Sequence, residues 1–269
     1  MDNMENMENM ENTELKEKLI EEAESFVASY GSNEGCSELW RTPVVGIAAA
    51  DDPAFVQLKE EVIPGHFLPR ELLASAQSVV AIFVPYTKRV IDSNTGGGYS
   101  SLLWDNAYKR TNEMLAALNE HLSAFLRGRG YEATNSLPTE GVAERAVTSR
   151  WSHRHIGVIA GVGTFGINNM IITRRGCAGR MITFVTEAFL PPDSPLAEQC
   201  LYKAKGTCRE CVAACPMAAI KNNQKTYEVD KTKCVYMCYD KKRELAPDIE
   251  GGENCGKCSC GVACSYYDV

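Results

Sequence analysis

The 269-residue chain has little that would place it in a membrane or on a polyanion. Its longest apolar stretches, such as "SVVAIFVPY" at 78–86, fall well short of the roughly 20 residues a helix needs to span a bilayer. Positive charge is not in excess. Lys and Arg number 28 against 35 Asp and Glu, a net −7, which argues against a nucleic-acid surface built on clustered cations. The opening "MDNMENMENMEN" has neither the basic start nor the apolar core of a secretory signal, so the expected location is the cytoplasm. Cysteine, in contrast, is plentiful. Of twelve, ten lie between 200 and 264, and Cys36 and Cys177 stand outside. In a reducing compartment such clustering reads as metal ligation rather than disulfide bonding.

The Met-Glu-Asn repeats of residues 1–12 are low in complexity and read as a disordered tail. A helix is expected over 13–30, with Thr13 as N-cap and Gly31 closing it. "TPVVGIAAA" (42–50) and "SVVAIFVPY" read as buried strands, with "PAFVQLKEEV" and "PRELLASAQ" at helical spacing between them. A long amphipathic helix follows over 102–128, with Leu115, Leu118, Leu122 and Phe125 on one stripe. "GRGYEA" leads into a short strand, 141–160 reads as helical, and "NNMIITRRG" and "GRMITFVTEAF" read as two strands joined by a glycine turn. The mixture predicts an α/β or α+β domain over 13–190. "LPPDSP" (190–195) marks its end. The remainder, 191–269, is too poor in large apolar residues to build much core without ligated metal.

Two familiar motifs fail on context. "GVGTFG" (161–166) matches G-x-G-x-x-G, but the dinucleotide motif needs a strand before it and a helix after it, and here the order is reversed. "GGENCGKC" (251–258) approaches a P-loop, yet Cys258 stands where a magnesium-binding hydroxyl belongs. The glycines of 161–166 are better read as letting backbone pass close to a neighbouring element or a flat cofactor.

Cys208, Cys211 and Cys215, followed by Pro216, reproduce most of the C-x2-C-x2-C-x3-C-P run of bacterial ferredoxins. In that run the cysteine before proline serves the other cluster of a pair. The first ligand's place is held by Lys205, and Cys200, across "LYKAKGT", is the nearest substitute. One cluster would then use Cys200, Cys208, Cys211 and, from the chain end, Cys264. The other would use Cys215, Cys234 and the second close pair, Cys255 and Cys258. Cys238 competes with Cys234, and Cys260 with Cys264. Cys264 is preferred because Cys260 lies so near Cys258 that the two would rarely reach different clusters comfortably. Two 4Fe–4S clusters are the expectation. Zinc is the alternative, but its sites favour CxxC pairs about 15–20 residues apart, and 208/211 and 255/258 stand much further apart. Cys36 and Cys177 read as small buried residues.

These cysteines, with "WSHRHIGVIAGVGTFGINNMIITRRG" (151–176), "FVTEAFLPPD" (184–193) and "GTCRECVAACPMAAI" (206–220), resemble the epoxyqueuosine reductase family and the iron–sulfur half of reductive dehalogenases. The likeness covers about residues 75–264. Gly161, Gly163, Gly166 and Asn168 fall on the family's glycine pattern, as does Arg154. Family spacing also favours Cys234 over Cys238. The resemblance implies an overall α+β fold: a nitroreductase-like N-terminal domain holding a corrinoid such as cobalamin, or FMN instead, beside a ferredoxin-like two-cluster domain. Arg154, Gly161, Gly163, Phe165, Gly166 and Asn168 would contact that cofactor. The chain lacks a D-x-H-x-x-G corrinoid motif, so the corrinoid is implied by the resemblance alone.

The departures bear on activity. Where the family has D-S-A-P-V-x-E-R, this chain has "VTSRWSHR" (147–154), with Val147 for the Asp and His153 for the Glu. The family's helical tRNA-binding extension has no counterpart before the chain ends at 269, which, with the acidic charge, points to a small substrate rather than tRNA. His153, His155 and Tyr108 are the candidate proton donors. The partners expected are a redox donor such as ferredoxin or flavodoxin, and a small-molecule or corrinoid partner. Two other readings stay open: an electron carrier without a substrate of its own, and a structural iron–sulfur adaptor.

Overall fold

The structure is a computed structural model that describes residues 2–135, 149–224, 226–241, 244 and 254–268. Its centre is β2 (Ser78–Pro85), in which every residue is buried, as expected of a continuous apolar run with neighbours on both sides. On one edge it pairs antiparallel with β1 (Val44–Ala49), and on the other antiparallel with β5 (Gly179–Thr186). One face of this sheet is covered by α1 (Asp2–Asn33) and α5 (Leu102–Arg127), where Leu19, Ala23, Val27, Leu115, Leu118 and Leu122 pack on Val80, Ile82 and Val84. Short α4 (Lys88–Ser93) leads into α5 on this side. The other face carries α2 (Ala54–Glu61), α3 (Pro69–Leu72) and α6 (His153–Ile159), with Phe55, Leu58 and Ile156 against Val79, Ala81 and Phe83. The fold is a mixed α and β arrangement in three layers.

Several expectations need correction. The Met-Glu-Asn repeats are not a tail but part of α1, consistent with the helix propensity of Met and Glu and with Leu19, Ala23 and Val27 anchoring the same helix to the sheet. Thr13 is therefore no N-cap. Its hydroxyl donates to the Asn9 carbonyl at 2.8 Å, one turn back, and the helix runs past Gly31 to Asn33. Of the strand expected after "GRGYEA", the described residues show one bridge, Ala133 with Thr186, and those from 136 on lie outside the described residues. The described part of the helix expected over 141–160 begins at His153; residues 141–148 lie outside the described residues. The expected strand pair also separates. β4 (Ile171–Thr173) pairs with β3 (Gly163–Phe165), formed by the glycine segment itself, while β5 joins the main sheet.

The C-terminal part holds α7 (Leu201–Lys205), α8 (Glu210–Ala214), the hairpin of β6 (Ile220–Asn222) and β7 (Tyr227–Val229), and α9 (Lys231–Tyr236). It is stitched to the layers before it. Asp193 accepts from the Ile47 N–H (2.9 Å) and donates its own N–H back to Ile47 (2.8 Å), covering the free edge of β1, and it pairs with Lys16 at 2.7 Å. At the chain end, buried Lys257 donates to the carbonyls of Asn94 (3.0 Å) and Gly96 (2.5 Å), and buried Cys260 lies in the α1–α5 core. The compositional boundary near 190 is thus crossed twice by the packing. Among the described residues no helix is long and apolar enough to cross a membrane.

Candidate metal centre

A cleft opens between the β3–β4 hairpin and the cysteine-rich part. Its lining includes the four cysteines Cys200, Cys208, Cys211 and Cys264, with Ile167, Ile172 and Val262 as apolar walls. The cysteines arrive from three segments of the chain. Cys200 caps α7, with its N–H held by the Glu198 carboxylate at 2.7 Å. Cys208 stands before α8 and Cys211 within it. Cys264 comes from the chain end, where Glu210 at the start of α8 accepts from the Ala263 N–H at 2.6 Å. Asn168, expected at a cofactor, donates instead to the Cys258 carbonyl at 2.7 Å and so clips the chain end to the hairpin. Burial pushes the Cys211 thiol up to about 12. Thiols so placed stay protonated unless a cation takes the proton's place.

The remaining four expected ligands lie in a second group, which also holds Cys238. Burial raises the Cys258 thiol well above its usual value, and Cys234, Cys255, Cys211 and Cys215 add to the effect. The Cys255 thiol is likewise raised by burial, with Cys234 and Cys215 as neighbours. Cys215 accepts from the Ala219 N–H at 3.3 Å, the kind of N–H···S contact that favours a thiolate. Cys234 behaves differently: a hydrogen bond with Cys238, helped by the Arg154 guanidinium, holds it down to about 7 against the effect of burial. Cys258 thus stands next to members of both groups, as interlocked cages require. Among the described residues no three His, Cys, Asp or Glu side chains converge as a single ion needs.

The residues expected around an organic cofactor are placed less as anticipated. Gly161 (φ 71°) has the Ser194 carbonyl where its Cβ would be, at 2.5 Å, and Gly163 has the Ile172 carbonyl at 2.5 Å. At Gly166 the side chain of Asn168 fills that space at 2.4 Å. Of the two explanations for these glycines, the structure supplies the neighbouring element. Phe165 lies against the His155 ring at 4.7 Å, and Arg154 donates to the Asn169 carbonyl at 2.5 Å, beside the second thiol group. Among the described residues four buried side-chain polar atoms have no hydrogen-bond partner: Tyr86 Oη, Trp104 Nε1, Arg180 Nε and Asn254 Oδ1.

The candidate proton donors do not meet. Arg180 of β5 lies over the Tyr108 ring at 4.1 Å on the α5 face, with Ile182 and Phe184. Thr183 points to the opposite face, where its hydroxyl meets His153 Nδ1 at 2.7 Å and Trp151 Nε1 at 2.9 Å. The sheet stands between Tyr108 and His153. His155 bonds the Ser152 hydroxyl at 2.7 Å, and burial, with Arg154 adding, holds it down to about 4. At pH 7 it is a neutral imidazole with one ring N–H, not the imidazolium of an acid poised near neutral pH. Buried His66, which sequence reasoning passed over, receives the Ser152 N–H at 3.1 Å and donates from Nδ1 to the Phe67 carbonyl at 2.8 Å, fixing the entry to α6.

The depressed His155 has a consequence for stability. Between about pH 4 and its unfolded value near 6.5 the unfolded chain binds the extra proton, so stability falls as pH falls through that window. His155→Gln should flatten the wild-type slope between pH 6.5 and 4 in urea titrations. An identical slope in the variant would rule out this buried, neutral histidine.

No family model matches the chain. The epoxyqueuosine reductase of Synechocystis sp. is 30% identical over 191 residues, 66% of this chain and 57% of that protein. The chain is epoxyqueuosine-reductase-like. It spans about half the length of the curated relatives it matches. Among solved structures, a selenomethionine-labelled epoxyqueuosine reductase superposes with a TM-score of 0.60 at 22% identity, over 92% of this chain and 64% of that one. A catabolic reductive dehalogenase, in complex with 3-bromo-4-hydroxybenzoic acid, superposes with a TM-score of 0.51 at 20% identity, over 80% of this chain and 28% of that one. At these identities the likeness is one of fold.

Proposed function

We propose that this epoxyqueuosine-reductase-like chain is an oxidoreductase carrying two 4Fe–4S clusters that deliver electrons to a corrinoid or flavin held by its α/β layers, for reduction of a small substrate. The observation that carries the reading is the gathering of the cysteines into two neighbouring groups, Cys200, Cys208, Cys211 and Cys264 around a single cleft and Cys215, Cys234, Cys238, Cys255 and Cys258 beside it. Cys200, Cys208, Cys211 and Cys264 would hold the first cluster, and Cys215, Cys234, Cys255 and Cys258 the second. Soft thiolates in apolar walls, with no carboxylate or imidazole lining the cleft, suit iron–sulfur chemistry. Clusters would supply one-electron transfer. The chain's own part is to keep them dry and close together, with Arg154 placing positive charge beside Cys234 and Cys258.

The organic cofactor rests on the family likeness. Among the described residues the buried side-chain atoms with unspent hydrogen-bonding capacity are Tyr86 Oη, Trp104 Nε1, Arg180 Nε and Asn254 Oδ1. Two observations favour a second reading, an electron carrier without its own substrate: Tyr108 and His153 lie on opposite faces of the sheet, and protein atoms lie against the glycines of 161–166. An anaerobic titration separates the two. Reconstituted protein is mixed with hydroxocobalamin and its visible spectrum followed before and after dithionite. Conversion to the base-off spectrum with cobalt reduction supports the reductase. Bleaching of the clusters alone, with an unchanged corrinoid, removes the corrinoid and leaves a flavin enzyme or a carrier.

A further inference from the structure

Cys177 belongs to neither ligand group, yet it is built into the first. It lies between β4 and β5, 4% exposed, packed with Cys200, Cys211 and Val262 in one apolar cluster. Its N–H donates to the Cys264 carbonyl at 2.8 Å, and the Ala178 N–H reaches the Ser265 carbonyl at 3.4 Å. This backbone pairing fixes the two sulfurs 3.7 Å apart. Either sulfur could be the donor while both are thiols. Once Cys264 is bound to iron it has no proton, and the S–H between them can come only from Cys177. The competing acceptor is the Ser259 carbonyl at 3.9 Å, which is further away and carries no net charge.

Building on the cluster reading above, we propose that Cys177 is a positioning residue whose thiol donates a hydrogen bond to the Cys264 thiolate and makes the first cluster easier to reduce than it would otherwise be. Reduction adds negative charge to the cluster and its sulfurs. A donor aimed at one of those sulfurs therefore stabilises the reduced form more than the oxidised one. The second group has no equivalent that is free of doubt over ligation, because Cys238, the partner of Cys234, is itself an alternative ligand.

The test is a redox titration of wild type, Cys177→Ala and Cys177→Ser, each reconstituted anaerobically and followed by electron paramagnetic resonance. Alanine should move one of the two midpoint potentials to a more negative value, leave the other in place, and leave iron content unchanged. Serine, which keeps a donor, should restore most of the shift. Pulsed measurements should also find an exchangeable proton coupled to one wild-type cluster and absent in the alanine variant. Wild-type protein that binds clusters, with both potentials unmoved in Cys177→Ala, would overturn this proposal alone. Loss of about half the iron in that variant would also overturn it, by making Cys177 a ligand. Wild-type protein that takes up no 4Fe–4S cluster would overturn the cluster reading and this proposal together.

Discussion

Cys258→Ala is expected to reduce anaerobically reconstituted protein from about eight irons per chain to about four, and to abolish electron delivery through the second cluster. The expectation follows from position. The Cys258 thiol has Cys234, Cys255 and Cys215 of its own group as neighbours, and Cys211 of the other. The first cleft draws its cysteines from 200, 208, 211 and 264 and does not need it. Cys36→Ala, in the α1–α5 core remote from either group, should leave iron content unchanged. The same measurement decides between Cys234 and Cys238. With Cys234 as ligand, Cys234→Ala loses iron and Cys238→Ala keeps it; the reverse result would exchange their roles. A Cys258→Ala protein that retains all its iron would sink the eight-thiolate assignment.

What the sequence showed of this site, it showed through chemistry. Cysteine spacing alone gathered Cys200 with Cys208, Cys211 and Cys264, although Cys200 and Cys264 stand 64 positions apart and no periodicity links them. A cage needs ligands from several directions, and that need limits the choices. The central strands and α5 were legible for a different reason: a fully buried strand and a long helix with one apolar stripe leave strong patterns. Tertiary placement was not legible. Tyr108 and His153 both looked like proton donors, and nothing in their local sequence says that Arg180 and Thr183, three apart on β5, send them to opposite faces. Cys177 was read as a small buried residue, which it is, because a lone cysteine is more often that than a partner. Its role appears only when the chain end folds back across the turn before β5. The glycines of 161–166 were read as sites of close approach to a neighbouring element or a flat cofactor, and at Gly161 and Gly163 a neighbouring element lies there.

One glycine outside that loop ties the fold to the site. Gly46, inside buried β1, faces the end of α6 so closely that a Cβ would lie 2.2 Å from the Ala160 carbonyl and 2.7 Å from Val162 Cγ2. The first neighbour is backbone in a turn fixed by Ala160 N–H to Ile156 and Val162 N–H to Gly157 hydrogen bonds, so it cannot swing aside as a side-chain tip could. Gly46→Val must lift the α6–β3 turn from the sheet or bend β1 away from β2. Overpacking of this kind costs roughly 3 kcal/mol or more where the obstacle cannot relax. At about 2–4 °C per kcal/mol for a domain of this size, the melting temperature should fall by roughly 10 °C. The damage should also reach the metal region, because α6 carries Arg154 and β3 leads into the Asn168 clip on the Cys258 carbonyl. Faster loss of iron to a chelator should therefore accompany the lower melting temperature. Gly46→Ala, with one methyl in place of three carbons, should show both effects at reduced size. A Gly46→Val protein that melts like wild type would mean that β1 and α6 do not pack as described.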